Sequence, residues 1–167
     1  MNKKTRDLTF AAILVAIGVS LSFLYIPVGV AKCFPIQHMV NVIAAVILGP
    51  LYAVLVAFST SFIRVIMSTG SLLAFPGSMF GAFFSAMLYK RYKKLNAAVI
   101  GEIFGTGIIG ALAAYPIAKF IMGREAAIFA FVIPFGISTI GGSIIATVLL
   151  LALEKTVGIE NLRGENI

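Results

Sequence analysis

Between Leu8 and Tyr89 the chain carries only two charged side chains, Lys32 and Arg64. A helix crossing the hydrocarbon of a bilayer needs about 20 residues, with a range of about 17–25, so this apolar stretch is too long for two spans. Its breaks are Pro27 to Pro35, Gly49-Pro50, and Ser68 to Ser71 around Gly70. Proline stops or kinks a helix and glycine permits a turn. The breaks predict spans near 8–26, 36–49, 51–67 and 72–89, and two more follow at 95–116 and 127–153, separated by Lys119, Gly123, Arg124 and Glu125. The second and third are short, which implies tilt, a thin local bilayer or protein packing around their ends. The expected fold class is an all-α integral membrane protein, a single membrane domain over 1–167 with six transmembrane helices.

Composition agrees. Hydrophobic residues make up 60% and charged residues 11%, whereas soluble domains run near a quarter charged. The formal charge of +7 comes from clusters at the ends of apolar runs: Lys3, Lys4 and Arg6, then Lys90, Arg91, Lys93 and Lys94, then Lys155 and Arg163. That is how basic residues orient a membrane protein, so no nucleic-acid partner is expected. If all three clusters are cytoplasmic, the crossings between them must be even, and four plus two satisfies that. Both termini then lie inside a multi-pass protein of the cell membrane, with the loops near 27–35, 68–71 and 117–126 outside. Lys32, Lys119 and Arg124 run against that bias but are outnumbered. The first apolar run lacks a small-x-small cleavage site before a polar domain, so it reads as a retained helix.

Much chemistry is excluded. Cys33 is the only cysteine and His38 the only histidine, which leaves no disulfide, CxxC site or metal set. No Gly-x-x-x-x-Gly-Lys-Ser/Thr run is present, so the chain has no P-loop of its own. With one His, one Cys and one acid in the core of a span, no catalytic set is visible. Neither an enzyme nor a cofactor is expected.

Small residues recur at four-residue spacing. The first span has Ala12-x-x-x-Ala16, with Ala11 beside it and Ser20 one step further. The fifth has Gly101-x-x-x-Gly105 and Gly110, and the sixth has Gly141-Gly142 and Ala146. In lipid, helices associate closely at such residues. Packing within the chain and docking of a partner subunit both fit the spacing.

Polar residues inside spans are costly and are therefore functional candidates. Glu102 is the only acid in the core of a span, with Thr106 one turn on and Asn96 nearer the basic end. It reads either as a packed carboxyl or as a ligand, proton or ion contact. Arg64, after Ser59, Thr60 and Ser61, either snorkels to the interface or enters a pocket or ion pair. Gln37, His38 and Asn41 are three and four apart and share one side of a helix. Leu72-Leu73-Ala74-Phe75-Pro76-Gly77-Ser78 breaks the entry to the fourth span, and Phe75 offers a ring face. Pro134, Gly136, Ser138 and Thr139 mark a kinked, polar half of the sixth, and Tyr115 ends the fifth at the same level. These features gather toward the outer leaflet, the arrangement of a pocket open to the exterior.

The same residues carry a resemblance. The first-span Ala repeat resembles the S components of energy-coupling factor (ECF) transporters. Pro35-Ile36-Gln37-His38-Met39-Val40-Asn41-Val42, Leu48-Gly49-Pro50, Arg64 and Leu73-Ala74-Phe75-Pro76-Gly77-Ser78-Met79 resemble the ThiW subfamily. What the resemblance implies is a substrate-binding subunit for a thiamine precursor, hydroxyethylthiazole. It also implies partners: a transmembrane coupling protein that meets the Ala12 and Ala16 face, and two ATPase subunits that supply ATP hydrolysis. Ligand contacts are then expected at Gln37, His38, Asn41, Phe75, Ser78, Glu102 and Tyr115. Thiamine-binding relatives lean on Trp and acidic residues, and the lack of Trp here suits a smaller ligand. Rival readings are an ion- or proton-coupled secondary transporter using Glu102, and a structural subunit without a ligand.

Overall fold

The computed structural model describes residues 2–28, 31–125 and 127–163. Among these, the chain forms α1 (Lys3–Ser20), a hairpin of β1 (Ile26–Val28) and β2 (Ala31–Cys33), α2 (Pro35–Leu48), α3 (Pro50–Ile66), α4 (Ala74–Tyr92), α5 (Leu95–Ile121), α6 (Val132–Thr156) and α7 (Ile159–Arg163). The class is all-α apart from the hairpin.

Helix α2 is the axis of the fold. It packs against α1, α3, α4, α5 and α6, and every residue from Gln37 to Ile47 is buried. At 1.5 Å per residue its 14 residues reach only about 21 Å, against a hydrocarbon layer of about 30 Å. Neighbouring helices enclose α2 along that length. Gly49 joins α2 to α3 alone, at φ 82, and Pro50 opens α3 where its missing N–H costs nothing.

Element ends depart from the apolar runs for local reasons. The Asn2 side chain caps α1 by accepting from Lys4 N, so the helix starts five residues before Leu8. It ends at Ser20, and Ile26 pairs instead with Cys33 in the hairpin. A turn over residues 128–131 delays α6 to Val132. Helix α5 runs past residue 116 because it is not uniformly α. π-Helical turns at Gly105–Gly110 and Ile117–Ile121 interrupt it, the second directly after Pro116, which cannot donate into the ladder.

The small residues divide. A Cβ on Gly101 would lie 2.5 Å from Phe84 O, one on Gly105 2.6 Å from Phe80 O, and one on Gly110 2.8 Å from Gly77 Cα. These glycines let α5 lie directly on the α4 backbone. Gly142 does the same for α6 on α2, with 2.3 Å to Pro35 O. On α1, by contrast, Ala11, Leu14 and Gly18 face inward while Ala12, Ala16 and Ser20 are exposed.

The outside of the bundle is apolar. Ile133, Ile137, Ile140, Ile144, Val148 and Leu151 form one exposed stripe along α6, and Leu55, Phe58, Phe62 and Ile66 form another on α3. Water-soluble monomers rarely expose contiguous apolar patches this long; a bilayer covers them without penalty. By length and composition α5 and α6 can each cross a membrane, and α2 and α3 are apolar but shorter.

Candidate functional site

The starts of α2, α4 and α6 and the end of α3 meet at one end of the bundle, around a cavity of about 690 Å³. Each contributes polar groups that the α-helical ladder leaves free to face inward. Gln37 and His38 come from the first turn of α2, Arg64 from the last turn of α3, Gly77 and Ser78 from α4, and Ser138 from α6. Lys32, Arg124 and Glu125 also line it, and Phe34, Phe131 and Phe135 supply ring faces.

Two hydrogen-bond relays fix the polar wall. In the first, Arg64 Nη1 donates to Gln37 Oε1 and Gln37 Nε2 donates to Ser61 Oγ at 2.8 Å. Ser61 Oγ lies 2.9 Å from Ser78 Oγ, which reaches Ala57 O at 3.4 Å. Gln37 thus has both ends of its amide engaged, with its O and N positions dictated by the donors around them.

The second relay centres on Glu102, which is fully buried. Its Oε1 lies 2.8 Å from His38 Nδ1 and accepts from Asn41 Nδ2 at 3.0 Å and Thr106 Oγ1 at 3.1 Å. Asn41 Nδ2 also donates to Ser78 O at 3.1 Å, and Thr106 Oγ1 lies 2.9 Å from Gly77 O. Gly81 makes the room, since a Cβ there would sit 2.1 Å from Thr106 Oγ1 and 2.7 Å from each carboxylate oxygen.

Arg64 is 1% exposed and does not snorkel. Its guanidinium lies 4.0 Å from the Phe34 ring centre. The loop after α3 wraps round it: Thr69 N and Gly70 N donate to Arg64 O at 2.9 and 3.0 Å, and Arg64 Nη2 donates to Thr69 O at 3.1 Å. The ion pairs among the described residues, Arg6–Asp7 and His38–Glu102, do not include it.

Of the residues expected at a ligand site, Gln37, His38 and Ser78 line this cavity. Asn41 and Glu102 stand one layer behind, bonded to its wall. Phe75 and Tyr115 do not line it: the Phe75 ring packs 5.5 Å from that of Phe58, and the Tyr115 hydroxyl takes Lys119 Nζ at 3.3 Å. The ring faces are Phe34, next to the α2 proline, and Phe131 and Phe135, one helical turn apart where α6 begins. That four-residue spacing was the available signal. No three His, Cys, Asp or Glu side chains converge on a metal-sized space among the described residues.

An apolar-surfaced helical bundle with a cavity at one end, lined by apolar groups and a few buried polar ones, defines a class, that of α-helical membrane proteins. Residues 8–156 match the family described as thiamine-precursor transporter protein (ThiW), and the chain belongs to that family. No curated protein and no solved structure matches it.

Proposed function

We propose that this chain is the substrate-binding S subunit of an ECF-type importer, that its ligand is hydroxyethylthiazole, and that the cavity at the α2–α4–α6 end receives it. The observation that carries the reading is the cavity itself, lined by hydrogen-bonded polar groups and by the phenylalanine rings of Phe34, Phe131 and Phe135. A flat heteroaromatic ring with a hydroxyl arm needs those two things in a mostly apolar pocket. Membership of a thiamine-precursor transporter family supports it. ATP hydrolysis then belongs to partners, a coupling protein and two ATPases, because this sequence has no P-loop.

Binding by the purified chain tests the site. A lost hydrogen bond costs about 0.5–1.5 kcal/mol, and more where a buried partner is stranded. His38→Leu removes a cavity-wall group and Asn41→Leu removes the amide that ties Glu102 Oε1 to Ser78 O behind that wall, so each is expected to weaken hydroxyethylthiazole several-fold. Lys119→Ala, exposed and outside the cavity lining, is expected to change nothing. Titration calorimetry decides it: unchanged affinity in both α2 variants moves the ligand elsewhere.

The buried His38–Glu102 pair favours one rival, proton-coupled transport by the chain alone. Proteoliposomes containing only this chain, under a pH gradient and without ATPases, are expected to accumulate no hydroxyethylthiazole; accumulation would transfer the function to that rival.

Six crossings with both termini cytoplasmic complete the proposal. In a Cys33→Ser background, an impermeant thiol reagent applied to intact cells is expected to label Glu125→Cys and not Tyr92→Cys. Labelling at 92 would overturn the topology.

A further inference from the structure

We propose that the ligand taken by this cavity carries an oxyanion, a phosphate monoester or a carboxylate, and that Arg64 receives it. The inference rests on the cavity being the ligand site but changes the chemical class of the ligand from a neutral alcohol to an anion.

Three full positive charges line the cavity, Lys32, Arg64 and Arg124, against one carboxylate, Glu125. Arg124 and Glu125 are adjacent in sequence, and both are exposed at the mouth, where solvent screens them. Arg64 differs from all of these. It is 1% exposed, it has no carboxylate partner among the described residues, and its Nε has no hydrogen-bond acceptor there. Its two recorded acceptors, Gln37 Oε1 and Thr69 O, are neutral dipoles. Of the buried acids, Asp7 pairs with Arg6, and Glu102 does not line the cavity and holds His38, Asn41 and Thr106 on one oxygen. A buried guanidinium facing a chamber without a counter-ion is a costly arrangement. It becomes favourable when a ligand brings the missing charge, because the planar fork of Arg matches a phosphate or carboxylate. The Phe34 ring against the guanidinium holds the fork in place.

The test compares hydroxyethylthiazole, its phosphate monoester, the thiazole bearing a carboxylate in place of the hydroxymethyl end, and inorganic phosphate and acetate as group-only probes. Affinity is read by calorimetry and stabilisation by thermal unfolding, at low and high salt. Wild type is expected to bind one or both thiazole anions about tenfold or more tighter than the alcohol, the gain of a charged hydrogen bond. Preference for the ester or the acid identifies the group. In Arg64→Gln the anion-to-alcohol ratio is expected to fall close to one. If that variant does not fold, the wild-type ratio alone decides, and Lys32→Gln at the mouth is expected to lower anion affinity a few-fold. An alcohol that binds as tightly as both anions overturns the proposal. If no thiazole binds but phosphate or acetate stabilises wild type, the thiazole reading falls and the oxyanion site stands. If the alcohol binds and no anion has any effect, the oxyanion proposal falls and the thiazole reading stands; if neither the alcohol nor any anion has an effect, both fall.

Discussion

Gly142→Ala is expected to lower the thermal stability of the protein sharply and to abolish ligand binding, while Gly136→Ala, six residues earlier on the same helix, leaves stability unchanged or raised. A Cβ at 142 would lie 2.3 Å from Pro35 O, 2.7 Å from His38 Cβ and 2.8 Å from Met39 N. Two of these are backbone atoms and cannot rotate away, so α6 must separate from the first turn of α2. Overpacking of this kind costs about 1–3 kcal/mol, occasionally more, and here the displaced turn carries Gln37 and His38. At Gly136 a Cβ would meet nothing within 4 Å, and alanine gains about 0.5–1 kcal/mol over glycine inside a helix. Circular dichroism melting in detergent measures both, since the chain has no Trp to report by fluorescence. Equal melting of the two variants would mean that α6 does not rest on α2 at this glycine.

What the sequence disclosed, and what it hid, follows from which interactions are local. The breaks at Gly49-Pro50 and before Pro35 were legible because a proline or a glycine sets the backbone by itself, and the helices do start at Pro35 and Pro50. The π-helical turns of α5 and the strand pairing of Ile26 with Cys33 were not, because a continuous apolar run gives no sign of how its ladder is filled. Within the site, Glu102 was visible as a lone acid in a span, and Gln37, His38 and Asn41 as one helical side. Their meeting was not visible: Asn41 and Glu102 stand 61 residues apart in the chain. The ring faces escaped for the same reason. Phe75 packs on Phe58 and Tyr115 bonds Lys119, while Phe34, Phe131 and Phe135, from the segments that lead into α2 and α6, line the cavity. Whether Arg64 snorkels or enters a pocket depends on the loop beyond the helix, which its sequence position does not show, and that loop folds back over it.

Ala12→Leu combined with Ala16→Leu is expected to abolish uptake through the coupling module, about tenfold or more if even 1.4 kcal/mol of docking energy is lost, while ligand affinity and melting temperature stay at wild-type values. Helix α1 packs chiefly on α2 and α3, and its Ala11, Leu14 and Gly18 are buried. Ala12, Ala16 and Ser20 lie on the opposite face, exposed and one turn apart, with Leu8 continuing the row at 63% exposure. A row of small side chains gives a partner helix a flat surface to approach closely, which is the main source of helix association in lipid. Among the described residues none covers that surface, so two leucines there are expected to meet lipid in the isolated subunit, and exposed substitutions of this kind usually change stability by no more than about 0.5 kcal/mol. The comparison needs both measurements on one preparation: calorimetry on the purified double variant, and radiolabelled uptake in cells that supply the coupling protein and ATPases. Uptake at the wild-type rate would remove this face as the docking surface. Loss of ligand binding in parallel with uptake would mean that α1 is held inside the protein by these alanines, contrary to their exposure.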